Sequence, residues 1–94
     1  MSKGANSVVV FCYRGEKTSI PSDTMENMKK ICKRYCAKIG RNYNSLYFMH
    51  DKTRVNKKYT FIQQANELDK KRYDMYISVF EKENIKLSMK YKIG

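Results

Sequence analysis

Between Met25 and Ile39 the apolar residues fall at 25, 28, 31, 32, 35, 36 and 39. This is the spacing of one face of an α-helix. Lys29, Lys30, Lys33, Arg34 and Lys38 occupy the opposite face. A single apolar stripe must be buried against another element, so the rest of the chain has to supply a cover. Three short β-branched or aromatic runs can do so: Val8 to Tyr13, Leu46 to Met49 and Met75 to Phe80. The expected fold class is therefore α+β, one main helix laid on a sheet. The 94 residues fit one domain and leave no room for two.

The flanks of these elements carry their own signals. Asp23 or Thr24 is the expected helix N-cap, because either side chain can accept an orphan backbone N–H. Gly40 is the expected C-cap. Arg14-Gly15 reads as a tight turn, with Lys17 to Ile20 returning as a second strand that Pro21 ends. Two registers are open. A two-residue turn sets Val9 and Phe11 on the face of Ile20, and a three-residue turn sets Val8, Val10 and Cys12 there; the second is favoured. A slip of one residue exchanges the faces. Asp51-Lys52 reads as a turn, Thr53 to Val55 as a short strand, and Thr60 as the cap of a helical turn through Phe61 to Ala65. In the run from Met75, residues Met75, Ile77 and Val79 share one face, and Tyr76, Ser78 and Phe80 the other. From Ile85 to Ile93 apolar residues alternate strictly with Lys or Ser, the pattern of a half-buried strand. The expected organisation is an N-terminal arm (1–7), a domain (8–81) and a C-terminal extension with an extra strand (82–94).

Composition narrows the function classes. Leu, Ile, Val and Phe together number 19, and a core forms only with help from 8 Tyr and 6 Met. No run approaches 18 apolar residues, which excludes a transmembrane helix. Net charge is +11. Such a balance favours nucleic acid, anionic lipid or an acidic protein face as partner, without choosing among them. Cys12, Cys32, Cys36 and His50 are scattered over three segments, so a four-ligand metal site is not expected. The cysteines read as reduced, small apolar residues. Met1 to Ser7 lack the apolar core of a signal peptide. The chain is accordingly expected inside the cell, in the reducing cytoplasm or nucleus. One histidine, no phosphate-cradling glycine loop and no carboxylate cluster leave little for catalysis, so neither an enzyme nor a cofactor is expected. His50, beside a turn, reads as a surface residue.

The stretch Pro21-Ser22-Asp23-Thr24-Met25-Glu26-Asn27-Met28-Lys29 resembles the helix entry of ubiquitin. Tyr35-Cys36 and Asn44-Ser45-Leu46-Tyr47-Phe48 resemble the third-strand region of SUMO. Thr60-Phe61 and Met75-x-Ile77-x-Val79 fit the remaining core pattern of both. The resemblance covers about residues 8–81. It implies a ubiquitin-like β-grasp, with a mixed sheet and one main helix, and a non-catalytic role in protein interaction. A small basic subunit docking within a larger assembly is the leading expectation.

The resemblance also points to surfaces. The exposed apolar patch of ubiquitin falls here on Tyr47, Tyr76 and Ser78. The same tyrosines would serve equally as a cross-strand pair or as a floor for the tail strand. The groove that SUMO uses to accept a partner strand falls on Thr18, Ile20, Lys30, Ile31, Tyr35 and Lys38. Pro21 removes one backbone donor from that edge. Ile85, Leu87, Met89 and Tyr91 form the apolar side of the tail strand and are expected to dock on a partner. Lys29, Lys30, Lys33, Arg34, Lys38 and Arg41 form a basic stretch, with no acid between Asn27 and His50. Two alternatives stand beside the leading one. The first is a conjugated modifier, which would use Gly94, a single glycine where ubiquitin and SUMO end in two. The second is a nucleic-acid-binding subunit, with Tyr43, Tyr47, Tyr73, Tyr76 and Tyr91 as stacking residues.

Overall fold

The computed structural model describes residues 4–82. Ile85, Leu87, Met89, Tyr91 and Gly94 lie outside the described residues. Within them the chain forms β1 (Asn6–Tyr13), β2 (Glu16–Asp23), α1 (Met28–Ile39) and a 3₁₀ turn (Tyr43–Ser45). It continues through β3 (Leu46–His50), β4 (Thr53–Arg54), α2 (Phe61–Gln64), α3 (Glu67–Arg72) and β5 (Asp74–Glu81). The strands make one mixed sheet in the order β2-β1-β5-β3-β4. β1 and β5 run parallel at its centre, and the other neighbours are antiparallel. α1 is the main helix of this α+β fold, and the arrangement is compatible with a β-grasp.

The core lies between α1 and one face of the sheet. Phe11 stacks on Tyr35 at 4.2 Å between ring centroids, and Phe48 meets both rings edge-on. Met28, Ile31 and Cys32 of α1, Met75 and Ile77 of β5, and Phe61 of α2 complete it. Fully burying a side chain of this size contributes roughly 1.5–3 kcal/mol.

The hairpin takes the two-residue turn, which corrects the favoured register. Val9 faces Ile20 and Phe11 faces Thr18, while Val8, Val10 and Cys12 alternate to the opposite face. The reason is local. Arg14 and Gly15 both have positive φ, 52° and 81°, as a type I′ turn requires. Only this register also brings Phe11 under Tyr35.

Pro21 does not end β2, which continues to Asp23. Pro21 points its nitrogen away from β1, where no ladder donor is needed. Thr24 N–H carries the pairing on, to the Ala5 carbonyl at 2.9 Å.

The N-cap of α1 is Asn27, not Asp23 or Thr24. Asn27 Oδ1 accepts from Lys29 N–H at 2.9 Å. Asp23 instead accepts from the backbone of Gly4 and Met25, and the Thr24 hydroxyl from Ala5 N–H. Residues 24–28 are drawn into an extended bridge with 59–62 by three backbone bonds of 2.8–3.0 Å. Met25, inside the helical period, consequently stays out of the helix and is 53% exposed. At the far end Gly40 takes the left-handed conformation, and Arg41 N–H reaches the Cys36 carbonyl at 3.0 Å.

Candidate functional site

The sheet face turned away from α1 collects outward side chains from all five strands. One row runs straight across it: Lys17 opposite Cys12, Cys12 beside Ser78, Ser78 opposite Met49, and Met49 opposite Arg54. On one side of this row Val10 neighbours Tyr76. On the other, Tyr47 faces Phe80. The middle of the face is therefore apolar and aromatic, and both ends of the central row are cationic.

Tyr47 and Tyr76 share this face but do not form a pair. Tyr47 stacks on Phe80 at 5.3 Å. Tyr76 lies four residues back along β5, about 13 Å away at strand rise. The Arg54 guanidinium covers the Tyr47 ring at 4.7 Å from its centroid. A stacked aromatic pair is worth ~0.5–1.5 kcal/mol beyond its burial, and an exposed cation–π contact ~0.5–1 kcal/mol. Tyr47 is thus half-buried and held in place, whereas Tyr76 is 53% and Phe80 46% exposed. Ser78 is exposed between them. Phe80 and Met49 were missed as members of this surface, although Phe80 alternates with Tyr76 and Ser78 in the sequence. Val10 and Cys12 were missed because the wrong register turned them inward.

The groove predicted between β2 and α1 has different walls. Ile20 and Ile31 are core residues, 4% and 0% exposed, and neither lines it. Tyr35 and Thr18 do line a depression of about 220 Å³, but with Tyr13, Glu16, Ile39 and Arg41 near the far end of the helix. Lys30 and Lys38 are exposed on α1 and border no part of it. The edge of β2 is also partly closed. Arg34 donates to the Pro21 carbonyl at 2.8 Å and pairs with Glu26, whose other bond is from Asp23 N–H. With the proline nitrogen unable to donate, added-strand pairing along this half of β2 has few groups left to use.

Arg34 and Arg41 are accordingly not part of a free basic face. Arg41 donates to Glu81 at 3.0 Å, and Arg14 and the Tyr13 hydroxyl reach the same carboxylate oxygen at 2.5 Å each. The hydrogen bond from Arg14, then that from Tyr13, holds the Glu81 carboxyl down to about 2. This cluster ties together the first hairpin, the exit of α1 and the end of β5.

His50 is buried, 5% exposed, and not a surface residue. The side chain lies on the inner face of β3. Gln64 Oε1 accepts from Asn56 N–H, which turns its amide nitrogen toward His50 Nδ1 at 3.0 Å. Nδ1 therefore accepts, and Nε2–H donates to Asp69 Oδ2 at 2.7 Å. Asp69 also caps α3 by accepting from Asn66 N–H. Both ring nitrogens are in use, and the histidine fastens α2 and α3 beneath β3.

Burial pushes the Cys32 thiol up to about 12 and raises that of Cys36. Both pack in the core as small apolar groups. Among the described residues no three His, Cys, Asp or Glu side chains are grouped to hold a metal ion. No helix among them is long and apolar enough to cross a membrane. No protein-family model matches the chain, and no curated protein matches its sequence.

Proposed function

We propose that the chain is a non-catalytic, ubiquitin-like interaction domain, a small basic subunit that holds a protein partner against the outward face of its sheet. The observation that carries this reading is the exposure of Tyr76 and Phe80 on one continuous face, at 53% and 46%. Large aromatic side chains left open on a sheet mark contact surfaces more often than isolated exposed residues do. The strand order, with β1 and β5 parallel at the centre and α1 across the other face, supports the ubiquitin-like assignment within the β-grasp. Lys17 and Arg54 at the ends of the central row suit a partner that is apolar in the middle of its contact and acidic at the rim. A non-catalytic role is supported by the burial of His50, whose ring nitrogens are both engaged, and by the raised thiols of Cys32 and Cys36, which leave little thiolate at those two positions.

The test uses the full chain, tagged and expressed in its native source. Tyr76→Lys and Phe80→Lys are compared with Lys71→Glu on α3. Partners retained by the parent and by Lys71→Glu should be lost from both sheet-face variants, with the melting temperature unchanged in Tyr76→Lys and lowered by a few degrees in Phe80→Lys, which loses its stack on Tyr47. Retention of the same partners by both sheet-face variants overturns the reading.

A further inference from the structure

A second surface lies on the flank of the molecule, where α1, the 3₁₀ turn, the start of β3 and the segment after β4 meet. A narrow inner pocket of about 40 Å³ opens into an outer groove of about 440 Å³. The two share Lys29, Tyr43, Asn44 and Lys57 and so form one depression. Lys29, Lys33, Arg54, Lys57 and Lys82 border it, and among the described residues no carboxylate does. Lys29 and Lys33 are one helical turn apart on the same face of α1, a like-charge spacing that opposes the helix. Among the described residues none of the five cations is in an ion pair, whereas Arg14, Arg34, Arg41 and Lys70 each are. Five of the described cations that lie outside ion pairs thus border one concave site.

We infer that this groove binds an acidic peptide segment of a partner protein, taking its carboxylates between Lys29, Lys57 and Arg54. The inner pocket has room for a few waters, at ~10–15 Å³ each, which suits a carboxylate and not a nucleobase. The aromatic walls point the same way. Tyr43 is stacked on Phe48 at 5.9 Å and has Lys33 Nζ over its ring at 5.7 Å. Tyr47 is stacked on Phe80 and has the Arg54 guanidinium over its ring. Both rings already hold a stacked neighbour and a cation, which a stacking base, the contact that single-stranded nucleic acid uses for affinity, would have to displace. The lysines offer point charges on flexible stems, which accommodate carboxylates at varied spacing. Arg54 and Tyr47 border both surfaces, but Lys29, Lys33 and Lys57 belong to the groove alone and Tyr76 and Phe80 to the sheet face alone.

The experiment measures fluorescence anisotropy of a labelled twelve-residue peptide of Asp, Glu and Ser against the full chain, at 50 and 300 mM salt. An unlabelled twelve-nucleotide oligouridylate serves as competitor. Lys29→Glu/Lys57→Glu is compared with Lys52→Glu/Lys71→Glu, which changes net charge equally from elsewhere on the surface. Binding at 50 mM salt should weaken at least tenfold in the groove variant and less than twofold in the control. Tyr76→Lys should leave it unchanged, which separates failure here from failure of the sheet-face reading. Absence of peptide binding at 50 mM salt overturns the inference. Equal loss in both charge variants overturns it too, because net charge alone then accounts for the binding. Tighter binding of the oligouridylate, with the same sensitivity to Lys29 and Lys57, assigns the groove to nucleic acid instead.

Discussion

Glu81 gathers three donors from distant parts of the chain onto one carboxylate oxygen. Arg14 and Tyr13, with Arg41 beside them, hold its carboxyl at about 2, against an ordinary value near 4.5. A folded-state value below the unfolded one gives stability that is full above the unfolded pKa and lost as pH falls through the folded one. The window is therefore about pH 4.5 down to about pH 2. Glu26, depressed by its hydrogen bond from Arg34, acts in the same direction. In thermal melts Glu81→Gln should lie below the parent at pH 7, and the gap should close as pH approaches 2. A gap that stays constant through that range would show that the carboxylate charge is not what the cluster uses. None of this was legible in the sequence. Tyr13, Arg14, Arg41 and Glu81 are ordinary surface residues until the sheet order brings their strand ends together. His50 was misread for the same reason. Its partners, Gln64 and Asp69, lie 14 and 19 residues away, and no local pattern marks them.

Elements whose cause is local were read well. The apolar period gave α1, Thr60 as a cap gave α2, and alternation gave β5 with its inward and outward faces. α3 was not anticipated. Its one large apolar residue, Leu68, is 53% exposed, so there is no periodic face to detect. The remaining signal was Asn66-x-x-Asp69, which closes a capping box. The first hairpin shows how turn chemistry fixes register. Gly15 has φ +81° with open space around it, so a methyl group there meets no neighbour and only the backbone is strained. Gly15→Ala should cost about 1 kcal/mol, read as a lower urea midpoint with an unchanged slope. A neutral substitution would mean that the turn relaxes without disturbing Val9 and Phe11.

Taken whole, the molecule carries +11 of net charge with few of its cations paired. Self-repulsion opposes the compact state, and added salt screens it over a length of ~10 Å at 0.1 M. Raising sodium chloride from 20 to 200 mM should therefore raise the melting temperature by a few degrees, since ~1 kcal/mol shifts it by about 4–8 °C at this size. A fall over that range would mean that the paired cations, Arg14, Arg34 and Arg41, matter more than the unpaired ones. The sequence by itself determined the α+β class, the main helix, the strands that cover it and the basic balance. Periodicity and propensity act through neighbours a few residues apart, and the chain states them directly. The tertiary structure decided the register of the first hairpin, the removal of Ile20 and Ile31 from any surface, and the burial of His50. It also joined Tyr47 to Phe80 rather than to Tyr76, and set Lys29, Lys33, Lys57 and Lys82 around one depression. Each of these depends on which strand lies beside which, and long-range pairing is settled only when the core has closed.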